Sequence, residues 1–330
     1  EDTLKLHGNS PLCPFGAEHV ARLGEVERRH GYGEPFPVAG GVDDGGYEVT
    51  LFNAGHIPGS AHVLVDDGDT RLLYTGDFHT DDQRLVAGTT ARPDADVVVC
   101  EATYADVTHE ERAAVESAWA ERVERTLWEG GTVVAPAFAI GRTQEMLLVA
   151  AAHGLTPYVD GMGVEVTEML RRYPSFLRDP DAFGEAVGRA RVVTGRDGQR
   201  ERIAAENAPI VTTSGMLAGG PVHTYLPEIR TNPTNLVTLT GYQVEGTPGR
   251  ELQERGQLEL NGRVRTVSAR VESYDFSAHA DREGLESFLE SYRDARVLVN
   301  HGDRCEAFAA DLRADEVDAS APEIGERIDV

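Results

Sequence analysis

Residues 271–293 read VESYDFSAHADREGLESFLESYR. Val271 to Phe276 has the alternation of a strand. The run stops at Ser-Ala-His-Ala-Asp, and Leu285, Phe288, Leu289 and Tyr292 then recur at the spacing of one helical face. A histidine, His279, stands at the junction. Ligand sites collect at the carboxyl ends of strands in α/β folds, so other polar residues in the same position bear on the role of His279.

Two more histidines qualify. His56 follows the strand-like YEVTLFN in NAGHIPGSA, and His301 follows the apolar ARVLVN and precedes a helical segment predicted to open at Asp303, where Asp303 and Glu306 have capping-box spacing. Small residues beside His56 let the backbone approach an ion or a phosphate. Two acids share the placement: Asp77 ends RLLYTGD and Glu101 ends DVVVCE. A carboxylate at the end of an apolar strand is costly unless paired or ligating. Read singly, each has an ordinary alternative: a solvated histidine, a turn aspartate, a salt-bridged glutamate. Together they form a nitrogen and oxygen donor set suited to zinc or a similar divalent ion, for which hydrolysis is the natural chemistry.

Outward from these points the pattern divides the chain. Residues 47–105 read as short strands between Gly and Asp turns. From about residue 108 to 245, helical and strand patterns alternate, beginning with a helix over 110–129 (Val115, Trp119 and Val123 apolar), which implies a mostly parallel sheet flanked by helices. Residues 256–276 return to strand pattern, and the tail from Ala314 is acidic and reads as loose. An α/β block inserted within a β-rich unit fits this order.

Composition bounds the class. The 330 residues carry a net charge of -25, which argues against a nucleic-acid partner if taken at face value. Lys5 is the only lysine, however, and every other basic residue except histidine is arginine. Lysine depletion with excess carboxylate fits a chain adapted to molar salt, where the Debye length is about 3 Å; folding is then expected to weaken as KCl falls toward 0.1 M. No apolar run approaches the roughly 20 residues that span a bilayer. Cys13, Cys100 and Cys305 show no C-x-x-C spacing and read as reduced thiols of a cytoplasmic protein.

The ordered set GHIPGSA (55–61), TGDF (75–78), CEATYAD (100–106), FSAHAD (276–281) and VNHGD (299–303) resembles the metallo-β-lactamase superfamily in its β-CASP branch of nucleic-acid hydrolases. GGTVVAPAFAIGRTQEML (130–147), YVDGMGVEVTEML (158–170), TTSGMLAGGPV (212–222) and LTGYQVEGTPGREL (239–252) are most similar to the archaeal cleavage-and-polyadenylation-factor-like group. The resemblance implies an αββα metallo-β-lactamase sandwich formed by residues 1–105 and 272–330, with a β-CASP domain at 106–271. It implies His56, Asp77 and His301 as metal ligands, Asp77 bridging two Zn2+ (or Mn2+) ions. It implies Glu101 and His279 as a catalytic pair beside Asp77, His279 protonating the leaving oxygen. Substrate contacts are expected from Arg142, Ser277 and the loop carrying Ser214 and Gly215, which reads equally as a plain strand-to-helix turn.

The function implied is metal-dependent hydrolysis of single-stranded RNA in 3′-end processing or turnover, with a homodimer an open alternative and no membrane. The signature H-x-H-x-D-H of the superfamily is not present; His7, His19 and His30 lack its spacing. The chain opens on Glu1, and the expectation is that the motif precedes it, so that this chain holds the later part of the sandwich and part of the zinc site. The alternatives are a catalytically silent RNA-binding or scaffold subunit that has lost the motif, and a small-molecule hydrolase of the same superfamily.

Overall fold

A computed structural model describes residues 15–260 and 262–329. The strands in chain order are β1 (Phe36–Val38), β2 (Tyr47–Asn53), β3 (Ala61–Asp66), β4 (Arg71–Tyr74), β5 (Val97–Glu101), β6 (Val133–Pro136), β7 (Tyr158–Asp160), β8 (Arg191–Val192), β9 (Pro209–Thr212), β10 (Leu236–Leu239), β11 (Gln257–Leu260), β12 (Arg263–Thr266), β13 (Arg270–Ser273), β14 (Arg296–Asn300) and β15 (Ala319–Ser320). They form two main sheets and a hairpin.

The first sheet has the order β1-β2-β3-β4-β5-β14-β15. β1 to β4 are antiparallel, and β4, β5, β14 and β15 pair in parallel. Leu73, Val98, Cys100, Val297 and Val299 share one core with Phe288 of the helix Arg282–Leu289 and Phe308 of the helix Cys305–Ala314. The second sheet, β13-β10-β6-β9-β7-β8, is parallel throughout. Its strands read as continuous apolar runs because helices cover both faces. Val133, Val211 and Leu236 pack into one core, whereas Val134, Ile210 and Val237 pack into another. The helix Arg112–Trp128 buries Val115, Trp119 and Val123, a stripe repeating every four residues. Residue 271, where the inserted block was expected to end, lies inside β13, an edge strand of this second sheet.

The two units are stitched by buried charge. Glu145, 1% exposed, accepts from the backbone N–H groups of Arg84 (3.0 Å) and Leu85 (2.7 Å) and from Arg112 Nη2 (2.7 Å). One carboxylate on the second unit thereby holds a loop of the first.

Two local expectations are corrected. The last helix begins at Cys305, and no capping box forms at Asp303; the Asp303 carboxylate instead accepts the Tyr242 hydroxyl at 3.1 Å, a partner 61 residues away. The tail is not loose: β15 pairs with β14, and Val317 and Ala319 are buried. Its acids are exposed while its alternate apolar residues complete the core, so the mean composition hid a strand. Cys100 and Cys305 are free thiols, as read, and Cys13 lies outside the described residues. Among the described residues no helix is long and apolar enough to cross a membrane.

Candidate metal centre and interdomain cleft

Each of the five strand-end residues reaches the same place. His56 is carried by a turn after β2 in which Gly55 and Gly59 have positive φ (74° and 85°). A Cβ on Gly55 would stand 2.4 Å from the His79 carbonyl oxygen, so no other residue fits. Ser60 Oγ accepts from the N–H groups of His56 and Ile57, and the Gln83 amide donates to the carbonyls of Gly55 and His56, both at 2.9 Å. His56 Nδ1 donates to the Ala278 carbonyl at 2.9 Å. That bond sets the tautomer and leaves Nε2 as a lone-pair donor, 4.0 Å from Asp77 Oδ2. Burial, and then the neighbouring His279, lower the His56 pKa, which favours the ligating neutral form.

Asp77 follows β4 through Gly76 and meets His301 on its other oxygen, with His301 Nδ1 3.2 Å from Oδ1. His301 sits directly after β14 with φ 52°, a conformation uncommon outside glycine that turns its ring toward Asp77. Two sets of donor atoms lie within 4.8 Å of one another: those of His56, Asp77 and His279, and those of Asp77, Glu101 and His301. Asp77 is common to both. Donors bound to one zinc at about 2.1 Å stand no more than ~4.2 Å apart; the 4.0 Å and 3.2 Å separations of His56 and His301 from Asp77 meet that limit. These donors fit a divalent cation.

Glu101 and His279 are otherwise engaged. Glu101 is 1% exposed and accepts from Phe78 N–H (2.7 Å), Thr103 N–H (3.3 Å) and His279 Nδ1, 3.0 Å from both carboxylate oxygens. Burial opposes its charge, yet these bonds outweigh it and lower its pKa. The pair is thus a carboxylate-oriented imidazole, with His279 Nδ1 engaged by Glu101 and Nε2 left available. The segment carrying His279 crosses from one core to the other: Phe276 packs in the core of the second sheet, Ala280 in that of the first. His279 stands between them.

His56, His279 and His301 line a cleft of about 960 Å³ whose walls also include Tyr104, Phe138, Arg142, Tyr242 and Arg250; Asp77 and Glu101 stand behind them, in contact with His301 and His279. Arg142 is only 8% exposed and its Nη1 has no protein partner. Ser277 lines the cleft too, although its Oγ is taken by His279 N–H at 3.1 Å. Ser214 and Gly215 are not among the residues that line the cleft, although Met216 of the same turn is; the Gly215 carbonyl accepts from Gln243 Nε2, and a Cβ there would come within 3.0 Å of Phe138 N. The early histidines are elsewhere. His30 stacks on Phe36, His19 bonds Gly16, and His7 lies outside the described residues. Sequence reading missed Gln83, Tyr104 and His109; none ends an apolar strand, and only the fold brings them to the site.

Comparison with known proteins agrees with this architecture. A Beta-Casp domain model matches residues 144–252, and a model of the Zn-dependent metallo-hydrolase RNA specificity domain matches 265–322. The chain is 34% identical over 293 residues to Probable RNase MJ4 of Methanocaldococcus jannaschii, covering 86% of this chain and 68% of that protein. It is 35% identical over 337 positions to RNase aCSPSF2 of Saccharolobus solfataricus (99% and 66%) and 31% identical over 336 to Transcription termination factor FttA of Methanothermobacter thermautotrophicus (90% and 50%). The chain thus belongs to the β-CASP branch of the metallo-β-lactamase superfamily. It spans between half and about two-thirds of the length of these relatives.

Proposed function

We propose that this chain carries the cleft-forming part of a divalent-metal-dependent ribonuclease that hydrolyses phosphodiester bonds of single-stranded RNA. The observation that carries the reading is the Asp77-centred donor set lying directly beside the buried Glu101–His279 pair, with His56, His279 and His301 on the wall of one cleft. Relatives named as RNases support the reaction class, and the one named as a termination factor supports a place at transcript 3′ ends.

His56, Asp77 and His301 would hold zinc or manganese. Ions there would activate water and neutralise phosphate charge. The chain's own residues do the rest. Glu101 accepts the Nδ1 proton of His279, so the ring presents Nε2 to the cleft and can deliver a proton to the departing oxygen. Arg142 brings a guanidinium to the cleft wall whose Nη1 is enclosed and has no acceptor among the described residues, so its positive charge would draw phosphate toward the cleft. Tyr242 and Phe138, about 40% exposed on the cleft wall, offer ring faces to unstacked bases.

The test uses the full-length protein in molar KCl with zinc or manganese and single-stranded RNA. His279→Ala is expected to lower kcat by about 10²–10⁴ with metal content unchanged. Cleavage at the wild-type rate would overturn the assignment.

A further inference from the structure

The chain passes between the two cores twice, at residues 102–112 and 274–282, and the passages run side by side. Tyr104 and Asp281 form a β-bridge, and Arg282 N–H donates to the Val107 carbonyl. His109 lies on the outgoing passage with its ring set into the returning one. Its Nδ1 is 2.5 Å from Asp275 Oδ2, and its Nε2 is 3.1 Å from the His279 carbonyl oxygen. A carbonyl only accepts, and so does an ionised carboxylate, so both ring nitrogens carry hydrogen and the ring is an imidazolium. Burial opposes that charge, but the Asp275 bond outweighs it and raises the His109 pKa.

The surroundings are built for the same end. The second oxygen of Asp275 accepts Ser277 N–H at 3.0 Å, and Ser277 Oγ accepts His279 N–H at 3.1 Å. His109 N–H donates to Asp281 Oδ2 at 3.0 Å, and Asp281 also caps the helix Arg282–Leu289 through Gly284 N–H at 2.9 Å. His279 is therefore gripped at three points: N–H by Ser277, carbonyl by His109, ring by Glu101. The first two set the backbone of the residue and the third sets its ring. A merely structural stitch between passages needs only backbone pairs like Tyr104–Asp281; a charged ring placed on the carbonyl of His279 itself is more than that.

We infer that His109 and Asp275 form a positioning pair that holds the His279 main chain, so that Nε2 stays aimed into the cleft. The inference rests on the general-acid reading of His279. It makes His109 a positioning residue, with no contact to substrate required.

Leaving-group dependence tests it. An RNA alkoxide needs a proton to depart; p-nitrophenolate does not. Full-length wild type, His109→Ala, His109→Gln, His109→Asn and His279→Ala are compared on single-stranded RNA and on bis(p-nitrophenyl) phosphate, with metal content measured for each. His109→Ala is expected to lose about 10–100-fold in kcat on RNA, the scale of a slightly misplaced catalytic group, and under about threefold on the nitrophenyl diester, with metal retained. Gln keeps a donor at the Nε2 position and should restore most of the RNA rate; Asn keeps one only at the Nδ1 position and should not. If the Ala variant fails to fold, the Gln–Asn pair decides. Equal losses on both substrates for His109→Ala, or Gln no better than Asn, overturn the inference, provided His279→Ala shows the selective loss on RNA. If His279→Ala loses both substrates equally, the general-acid reading falls and takes the inference with it.

Discussion

Replacing Glu101 by Gln changes one atom and one charge where nothing can move to compensate. The carboxylate is 1% exposed, and its two oxygens take the N–H groups of Phe78 (2.7 Å) and Thr103 (3.3 Å) as well as His279 Nδ1 at 3.0 Å from each. An amide has one acceptor oxygen. If it keeps the shorter bond to Phe78, its NH2 faces the Thr103 N–H donor to donor. An orphaned buried donor costs about 1–3 kcal/mol, and a lost hydrogen bond to a charged group about 1.5–3 kcal/mol. The first cost falls on folding. The second falls on His279, whose Nδ1 keeps Oε1 as an acceptor but loses the negative charge that strengthened the bond, and at about 1.4 kcal/mol per tenfold it becomes a ~10–100-fold fall in kcat. Glu101→Gln should thus lower the urea-unfolding free energy by about 1–3 kcal/mol and slow RNA cleavage ~10–100-fold. Bound metal should stay at the wild-type level, because Glu101 supplies no ligand. Initial rates at saturating RNA in molar KCl, with metal analysis on the same samples, provide the assay. A kcat within threefold of wild type in a folded, fully loaded variant would refute the role assigned to Glu101. Loss of metal in step with activity would refute it equally, since the residue would then be a ligand.

Three further outcomes follow from the geometry. Asp77→Ala should deplete bound zinc or manganese measured after dialysis, whereas His279→Ala should not; full metal retention in Asp77→Ala would end the ligand assignment. Glu145→Ala leaves two buried N–H groups without their acceptor and Arg112 with only Glu116 (3.6 Å) and the Ser277 carbonyl (3.3 Å), and should cost about 3–5 kcal/mol in denaturant unfolding, part of it recovered in the double variant with Arg112→Ala; a loss under 1 kcal/mol would contradict the stitch between units. His62 is fully buried, with Nδ1 on the Thr75 carbonyl at 2.7 Å, and burial lowers its pKa from 6.5 to about 4. The unfolded chain then binds the extra proton first, so stability is complete above pH 6.5 and falls by about 3 kcal/mol as pH drops toward 4. His62→Asn should flatten that part of the curve in pH-dependent melts, and an unchanged slope would exclude His62 as its source.

The candidate centre was largely legible before any coordinates because its residues mark themselves locally. His56, Asp77, Glu101, His279 and His301 each end an apolar or alternating run, where a charged or titratable group is expensive unless used. The parallel inserted sheet was legible for a related reason, since strands buried on both faces have no polar alternation to confuse. Less local features were not legible. His109 precedes a helix as any polar residue could, and its meaning lies in partners 166 and 170 residues onward. Asp303 has capping spacing with Glu306, but the Tyr242 hydroxyl competed for its carboxylate and prevailed. In the Ser214–Gly220 turn, Gly215 is packed against Phe138 and Gly220 against the Thr213 carbonyl, and the same composition would suit a phosphate loop.

The pairing of β5 with β14 has a consequence for how the protein is made. Val97 is matched with Arg296, 199 residues later (296 − 97). At ~5–20 residues per second, a ribosome needs roughly 10–40 s to supply the partner. Through that interval β5 is an open edge with unpaired amides, the kind of edge that recruits other chains. The inserted unit shortens the wait in space if not in time, because folding it first brings residues 104 and 281 together and delivers β14 across a closed gap instead of a loose loop. Mutations that slow folding of the inserted unit are therefore expected to appear first as aggregated nascent protein, before any effect on the mature protein.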